Sequence, residues 1–274
     1  MTNSGTIVAC CQIALQIGDR AGNRAKIHAA VSRAADGGAQ VIVLPELANT
    51  GYMFSSPQEL HALAEPVDGP TIAGWQQLAE QRKVIIVGGF AENGHDGKIY
   101  NSAVIVDETG LRATYRKAHL WDGEKLGLFT AGSDSPPVVD TAVGPIGLVI
   151  CYDLEFPEWV RHVAEAGAAL LCAPVNWPLY PRPAGERPSE IVRAQAAASS
   201  NRIFVAIADR AGTERDQAWL GGSVIIDPDG YPTTTLRLDE ETIIYATLNL
   251  PEATDKSISA GNDVHKDRRP DLYT

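Results

Sequence analysis

The chain has 274 residues, of which 45% are hydrophobic and 21% are charged, and its formal net charge at pH 7 is −11. A surplus of negative charge repels phosphate groups, so we expect no nucleic-acid partner and no anionic membrane partner. No apolar run reaches the roughly 18 residues that cross a bilayer, and the N-terminal residues lack the pattern of a signal peptide. The four cysteines have no CxxC or secreted-framework spacing. These features are typical of a cytoplasmic globular enzyme with reduced thiols.

In the first half of the chain, apolar β-branched runs alternate with amphipathic stretches. Residues Ile27, Ala30, Val31 and Ala34 recur at helical spacing. The run VIVLP is continuously apolar, as in a strand buried on both faces. The sequence NGHDG is a strong turn signal between two further apolar runs. In chain order we predict a strand at 6–13, a helix at 23–35, a strand at 40–46, a helix at 71–82, and strands at 84–92 and 98–108.

The second half repeats this alternation. Its pattern predicts a strand at 144–153, a helix at 156–166, a strand at 168–175, a helix at 188–200, and strands at 202–209, 221–230 and 242–250 that complete the sheet. The segment DPDG is expected to form a hairpin turn before the last strand. The polar tail 251–274 lacks a core pattern of its own, and we expect it to lie at a subunit interface.

The order of these elements indicates an α/β fold. Strand–helix–strand–helix followed by a hairpin occurs twice without a linker, so we predict a single domain, 1–274. In this domain two sheets pack together with helices outside, giving four layers. A doubly wound sheet is the alternative, and the paired hairpins argue against it.

Three reactive side chains stand where an apolar run ends, which is where α/β sheets collect their ligands. Glu46 follows VIVLP, Lys117 follows LRATYR, and Cys151 follows GLVI. A helix start and a nearby ammonium favour a thiolate. A carboxylate next to a lysine could take the proton of the thiol. The ammonium and the backbone N–H of Tyr152 could then stabilise an oxyanion.

Each of these residues also has an ordinary interpretation. Glu46 alone would be a loop or surface carboxylate, and Lys117 alone a solvated charge at the end of a strand. Cysteines in apolar runs are usually buried small hydrophobes, and we interpret Cys10, Cys11 and Cys172 in this way. The hypothesis of a catalytic site therefore depends on the three residues together.

Several segments resemble the signature regions of the nitrilase superfamily of carbon–nitrogen hydrolases. They are PELANTGY (45–52), YRKAHLWDGEKLGLFTAG (115–132), ICYDLEFPEWVR (150–161), NW (176–177), NRIFVA (201–206), GGSVIIDPDG (221–230) and RRPDLY (268–273). The resemblance runs almost end to end, with the Glu, Lys and Cys segments in the expected order. It implies a nitrilase-like four-layer αββα sandwich and a thioester acyl-enzyme, with no metal and no cofactor.

The resemblance also implies roles for individual residues. Glu46 would be the general base, Cys151 the nucleophile and Lys117 the group that stabilises the oxyanion. Glu124, in KAHLWDGE, matches the position of the second glutamate of the family, which supports and orients the site. On its own, Glu124 would be interpreted as an exposed loop carboxylate.

The residues after the nucleophile indicate a branch of the superfamily. The segment CYDLEFPE is similar to amidases acting on small aliphatic amides or ω-amides, whereas true nitrilases resemble Cys-Trp-Glu and carbamoyl-amino-acid hydrolases resemble Cys-Asn-Asp-Arg-Arg. We therefore expect an aliphatic amidase. An ω-amidase, an N-carbamoyl hydrolase, an acyl transferase and a non-enzymatic binder of a metabolite or protein remain alternatives.

The residues around the acyl group are less clearly indicated. Tyr52, Tyr152, Asn176 and Trp177 are expected to bind the small-molecule amide, and Trp121 approaches it, although aromatic residues at such positions also serve as core. Arg182 and Arg187 lie in a Pro-rich loop, and either one in the pocket would favour a substrate with a carboxylate.

Several other classes are disfavoured by missing motifs. The sequence has no GxSxG elbow, no GxxxxGK[ST] and no complete GxGxxG. Its six histidines are dispersed, so we expect no metal site. We also expect a homodimer or higher homo-oligomer, because an apolar stripe follows the nucleophile at Phe156, Trp159, Val160 and Val163.

Overall fold

The computed structural model describes residues 5–273, so residues 1–4 and 274 of the expected domain lie outside the described part. The helices are α1 (Arg20–Asp36), α2 (Pro57–Leu63), α3 (Pro70–Arg82), α4 (Pro157–Glu165) and α5 (Ser189–Asn201). The strands are β1 (Thr6–Gln12), β2 (Val41–Val43), β3 (Ile85–Asn93), β4 (Ile99–Asp107), β5 (Gly110–Arg116), β6 (Val138–Thr141), β7 (Gly144–Leu148), β8 (Leu170–Pro174), β9 (Phe204–Ala208), β10 (Thr213–Glu214), β11 (Gln217–Ala218), β12 (Val224–Ile226), β13 (Thr242–Leu248), β14 (Ser257–Ser259) and β15 (Asn262–Asp263). Short 3₁₀ helices span Asp122–Lys125, Cys151–Glu155, Leu250–Thr254 and Pro270–Leu272.

Two large sheets form the centre of the molecule. The first has the order β13-β1-β2-β3-β4-β5, and the second has the order β12-β9-β8-β7-β6. In each sheet three central strands are parallel, and antiparallel strands flank them. The sheets pack against each other, with α1 and α3 outside the first and α4 and α5 outside the second. The predicted four-layer α/β architecture is therefore confirmed.

The helices form where the sequence pattern places apolar residues on one face. In α1, the predicted stripe from Ile27 to Ala34 is fully buried against the first sheet, and Asp19 caps the helix by accepting a hydrogen bond from Gly22 N. Helix α4 begins at Pro157, a residue suited to a first helical turn because it has no N–H to leave unpaired. Helix α2 and strand β6 were not predicted.

The strand predicted at 242–250 forms as β13, but its predicted place in the second sheet was wrong. Strand β13 does not complete the second sheet but pairs with β1 in the first, with Ala9 opposite Tyr245. The DPDG segment does form a turn, since Gly230 N donates to Asp227 O at 3.0 Å. The chain then leaves the second sheet, in which β12 is the edge strand next to β9. The first sheet thus gains an edge strand from the end of the second half.

The residues from which we predicted an oligomer make contacts within their own chain. Within the stripe that follows Cys151, Val160 and Val163 are fully buried in the core of their own chain. Trp159 is half-buried, and its indole N–H donates to Tyr115 Oη at 2.9 Å. The tail also packs on its own chain, because Lys256 Nζ donates to Asn201 O and Arg202 O. These features serve the single chain, so oligomerisation remains a prediction.

Within residues 5–273, none of the helices combines the length and the apolar character of a bilayer span.

Candidate active site

The ends of two parallel strands, one from each sheet, meet at a single point. Glu46 follows β2 after Leu44 and Pro45, and Cys151 follows β7 after Val149 and Ile150. Asn176, beyond the end of β8, joins them: its Nδ2 donates to Glu46 O at 3.0 Å, and its backbone O lies 4.0 Å from Cys151 Sγ. The sheet packing therefore brings the predicted base and the predicted nucleophile into one site.

The backbone around Glu46 is closely packed against β3. A Cβ at Gly89 would lie 2.6 Å from Glu46 Cα, closer than atoms can approach, so only glycine fits at this position. Leu47, the next residue after Glu46, has a left-handed φ of 47°. Such a conformation is unfavourable for leucine and is held by the surrounding packing.

Cys151 lies on a strained turn. Its φ is 45°, in the left-handed region. Asp153 holds this turn in place, since its carboxylate accepts hydrogen bonds from Ile150 N at 3.1 Å and Tyr115 Oη at 2.9 Å. The other oxygen of Asp153 accepts from His119 N at 3.0 Å and lies 2.7 Å from His119 Nδ1. His119 thus supports the turn rather than contacting the cavity.

A buried cluster of charges lies behind Cys151. Lys117 Nζ is 2.8 Å from Glu46 Oε1 and 2.9 Å from Glu124 Oε2, and the three side chains are at most 2% exposed. Asn101 Nδ2 donates to both carboxylates at 2.7 Å. Glu46 Oε2 is buried and has no hydrogen-bond partner among the described residues. One oxygen of Glu46 therefore holds the cluster together, and the other keeps its lone pairs free.

The cluster perturbs the acidity of its members. Burial raises the pKa of Glu46, and Lys117 opposes this rise. Burial opposes the charge of Lys117, but Glu124 and Glu46 outweigh it, so the pKa of Lys117 lies above its usual value. Burial also raises the pKa of the Cys151 thiol, Glu46 adds to the rise, and Lys117 lowers it. This upward shift favours the protonated thiol of Cys151, whereas the sequence led us to expect a thiolate.

A cavity of about 250 Å³ opens onto Cys151. Its walls are formed by Trp121, Cys151, Tyr152, Glu155, Asn176, Trp177, Pro178, Tyr180, Glu190 and Arg193. Three of the four predicted binding residues line it, and Trp121 does so as well. The fourth, Tyr52, lines an adjoining cavity, where it hydrogen-bonds with Glu124. Burial raises the pKa of Tyr52, so its hydroxyl remains a donor.

The two arginines proposed to recognise a carboxylate lie elsewhere. Arg182 borders an open depression formed by residues 179–186, and Arg187 is exposed and donates to Gln195 Oε1 at 2.7 Å. In contrast, Glu155, Glu190 and Arg193 line the cavity and were not predicted to do so. Asn101 was also missed, although a polar residue in the apolar run KIYNSAVIV is a signal that could have identified it.

In the part of the chain that the structure describes, residues 5–273, no three or more His, Cys, Asp or Glu side chains cluster so that they could hold a metal ion.

Comparison with known proteins places the chain in a family. The model of the carbon–nitrogen hydrolase family matches residues 7–256. The chain belongs to the carbon–nitrogen hydrolase family. The resemblance to the nitrilase superfamily found from the motifs is thereby confirmed.

Relatives within the carbon–nitrogen hydrolase family cover nearly the whole chain. A nitrilase from Pyrococcus abyssi is 34% identical over 97% of this chain and 98% of its own. A 2-oxoglutaramate amidase from Bacillus subtilis is 34% identical over 95% of this chain and 98% of its own. A solved structure shows a mutant of the amidase from Nesterenkonia sp. AN1 with acrylamide added at the active-site cysteine. It is 27% identical, with a TM-score of 0.83 over 98% of each chain.

Proposed function

We propose that this carbon–nitrogen hydrolase is an amidase that converts small carboxamides to carboxylic acid and ammonia. The observation that carries the proposal is the meeting of Cys151, at a cavity of about 250 Å³, with the buried Glu46–Lys117–Glu124 cluster. Amidases among the relatives support the same reaction. Two atoms of the site are free to react, the sulfur of Cys151 at the cavity and the unpartnered Oε2 of Glu46.

In the first half of the reaction, Glu46 Oε2 accepts the proton of the Cys151 thiol. The sulfur attacks the amide carbonyl carbon, and the ammonium of Lys117 together with the N–H of Tyr152 stabilises the resulting oxyanion. The proton then passes from Glu46 to the amide nitrogen. The carbon–nitrogen bond breaks, ammonia leaves, and a thioester remains on Cys151.

In the second half, Glu46 accepts a proton from water. The hydroxide attacks the thioester carbonyl, the carbon–sulfur bond breaks, and the proton returns to the sulfur. Glu124 and Asn101 act as positioning residues, because they hold Lys117 and one oxygen of Glu46 while the other oxygen moves the proton.

Two features support a small aliphatic acyl group. The cavity volume of about 250 Å³ is below the range of ~300–1,000 Å³ that is usual for drug-sized ligands. Trp121, Tyr152 and Trp177 form apolar walls next to Cys151. Since Arg182 and Arg187 do not line the cavity, the reason for considering an ω-amide with a carboxylate is weakened.

The test is ammonia release from acetamide, propionamide, butyramide, glutaramate, a nitrile and a carbamoyl amino acid. We expect release from the short amides by the native chain and none by Cys151→Ala, with Cys172→Ala as the matched control at a buried cysteine away from the cavity. Activity that survives in Cys151→Ala would contradict the mechanism. Ammonia release from glutaramate alone would favour an ω-amidase. Release from the carbamoyl amino acid alone would favour an N-carbamoyl hydrolase.

Intact-mass spectrometry distinguishes the remaining classes. A hydrolase accumulates the acyl mass on Cys151 and releases acid, whereas a transferase passes the acyl group to added hydroxylamine in preference to water. A chain that only binds a ligand shows neither change. We also propose a homo-oligomer located in the cytoplasm, and light scattering at micromolar concentration tests the assembly.

A further inference from the structure

The cavity at Cys151 has a charged end that the mechanism does not use. Arg193 Nε contacts Glu155 Oε2, and Arg193 Nη2 lies 3.6 Å from Glu190 Oε1. All three residues line the cavity. Two carboxylates thus share one guanidinium, which leaves one negative charge in excess at this end.

These carboxylates are only partly solvated. The side chains of Glu155 and Glu190 are 22% and 14% exposed. Burial raises the pKa of Glu155, Arg193 opposes the rise, and Glu190 adds to it. An incoming ammonium would relieve this excess charge. An incoming carboxylate would meet a guanidinium already engaged by two carboxylates.

Asn176 provides an independent indication of what the cavity binds. The residue lines the cavity and is 3% exposed, and its Oδ1 has no hydrogen-bond partner among the described residues. The orientation of its amide is defined because Nδ2 donates to Glu46 O. A buried acceptor without a partner costs about 1–3 kcal/mol, so this oxygen is suited to an N–H donor of a bound ligand.

The aromatic walls are compatible with a cation. Trp121 and Tyr152 pack edge to face at 4.8 Å, and aromatic faces attract ammonium groups. Lys125 Nζ lies 5.6 Å from the centroid of the Tyr152 ring. Lys125 is exposed to solvent. At the cavity wall, burial raises the pKa of Tyr180, and the negative charges of Asp122 and Glu190 add to the rise. Two carboxylates therefore act on this wall of the cavity, which favours an incoming ammonium.

We propose that Glu155 and Glu190 form a cation subsite, and that the preferred substrate is a small amide whose acyl chain carries an ammonium group. This inference rests on the amidase function proposed above. It adds that amides carrying a distal carboxylate are poor substrates.

Three amides of similar length and different charge test the subsite: γ-aminobutyramide, pentanamide and glutaramate. We expect kcat/KM for γ-aminobutyramide to exceed that for pentanamide by about tenfold, as for one partly buried ion pair, and glutaramate to be the poorest of the three. Raising the salt concentration should lower kcat/KM for γ-aminobutyramide and leave that for pentanamide nearly unchanged.

Single substitutions test whether Glu155 and Glu190 cause the preference for γ-aminobutyramide. Glu155→Gln and Glu190→Gln should each reduce the ratio of kcat/KM for γ-aminobutyramide to kcat/KM for pentanamide, and circular dichroism checks that each variant is folded. Glu158→Gln, at an exposed glutamate of α4, should leave the ratio unchanged.

The outcomes separate this inference from the proposed function. Hydrolysis of pentanamide without a preference for γ-aminobutyramide, or with a preference for glutaramate, overturns the subsite and leaves the amidase standing. A preference that survives in both glutamine variants also overturns the subsite. Ammonia release from none of these amides, nor from the wider panel, overturns the amidase and the subsite together.

Discussion

Lys117 Nζ lies 2.8 Å from Glu46 Oε1, and neither side chain is exposed to solvent. Glu124 lies on the other side of the same ammonium, 2.9 Å away. The single ammonium of Lys117 is therefore shared by two buried carboxylates. This arrangement links the chemistry of the site to the stability of the fold, because removing one member leaves an uncompensated charge in the interior.

Replacing Lys117 with methionine should destabilise the protein. Loss of one partner of a buried pair costs about 3–5 kcal/mol, which corresponds to a fall in Tm on the order of 10 °C for a chain of this size. The loss should be smaller at low pH, because Glu46, whose pKa is raised by burial, then takes up a proton and loses its charge. Calorimetry at two pH values measures both effects. Lys98→Met, at an exposed lysine, is the control, and equal Tm values for the two variants would contradict the prediction.

The pH dependence of kcat/KM should report the raised pKa of Glu46. Below that pKa the carboxyl keeps its proton and cannot accept another from Cys151, so activity falls as the pH decreases. The midpoint of this acidic limb should lie above ~4.3, the ordinary value for glutamate. Steady-state rates on pentanamide across the pH range give the midpoint. A limb centred at or below the ordinary value would show that Glu46 is not the base.

Glu46→Gln should separate catalysis from folding. A carboxamide oxygen can still accept hydrogen bonds from Lys117 and Asn101, but it cannot take the thiol proton. We expect kcat to fall by about 10²–10⁴-fold, the usual contribution of a general base, while the protein remains folded by circular dichroism. Glu108→Gln, at an exposed glutamate far from the cavity, should retain native kcat.

Asp153→Asn should disturb the turn that carries Cys151. The native carboxylate accepts hydrogen bonds on both oxygens, whereas asparagine places an N–H₂ group against donors. Leaving a buried donor unpaired costs about 1–3 kcal/mol. We expect a lower Tm and a loss in kcat that exceeds the change in KM, since Cys151 is displaced. Asp134→Asn, in an exposed loop, should change neither quantity.

Glu214→Gln should loosen the segment that carries Tyr52. Glu214 Oε2 accepts from Tyr52 N at 2.8 Å and Met53 N at 2.7 Å, and its Oε1 accepts from Arg210 Nη2 at 2.8 Å. A glutamine amide cannot accept on both sides. Hydrogen exchange should therefore become faster at the amides of Tyr52 and Met53, with a rise in KM. Unchanged exchange at these two amides would contradict the prediction.

Local sequence patterns were sufficient to predict the layers and the order of most helices and strands. The ends of the strands were less accurate, since the strand predicted at 144–153 ends at Leu148 and the one predicted at 221–230 spans only Val224–Ile226. Strand β2 and helix α1 follow from apolar periodicity, which depends only on neighbouring residues. Glu46, Lys117 and Cys151 were identified because each interrupts an apolar pattern where a strand ends. Their catalytic roles remain proposals, but the structure places Glu46 and Lys117 in contact and Cys151 beside them.

The tertiary structure decided what depends on residues distant in the chain. Strand β13 could pair with either sheet by its pattern, and only packing against β1, more than two hundred residues earlier, selects the first. The same holds for Asn101, which meets Glu46 and Glu124 across the sheet. By sequence, Glu190 and Arg193 are ordinary helix-surface residues, and Glu155 is a polar residue just before a predicted helix. They become one end of a cavity because α5 packs against the segment after Cys151, and such packing is not encoded in any local pattern.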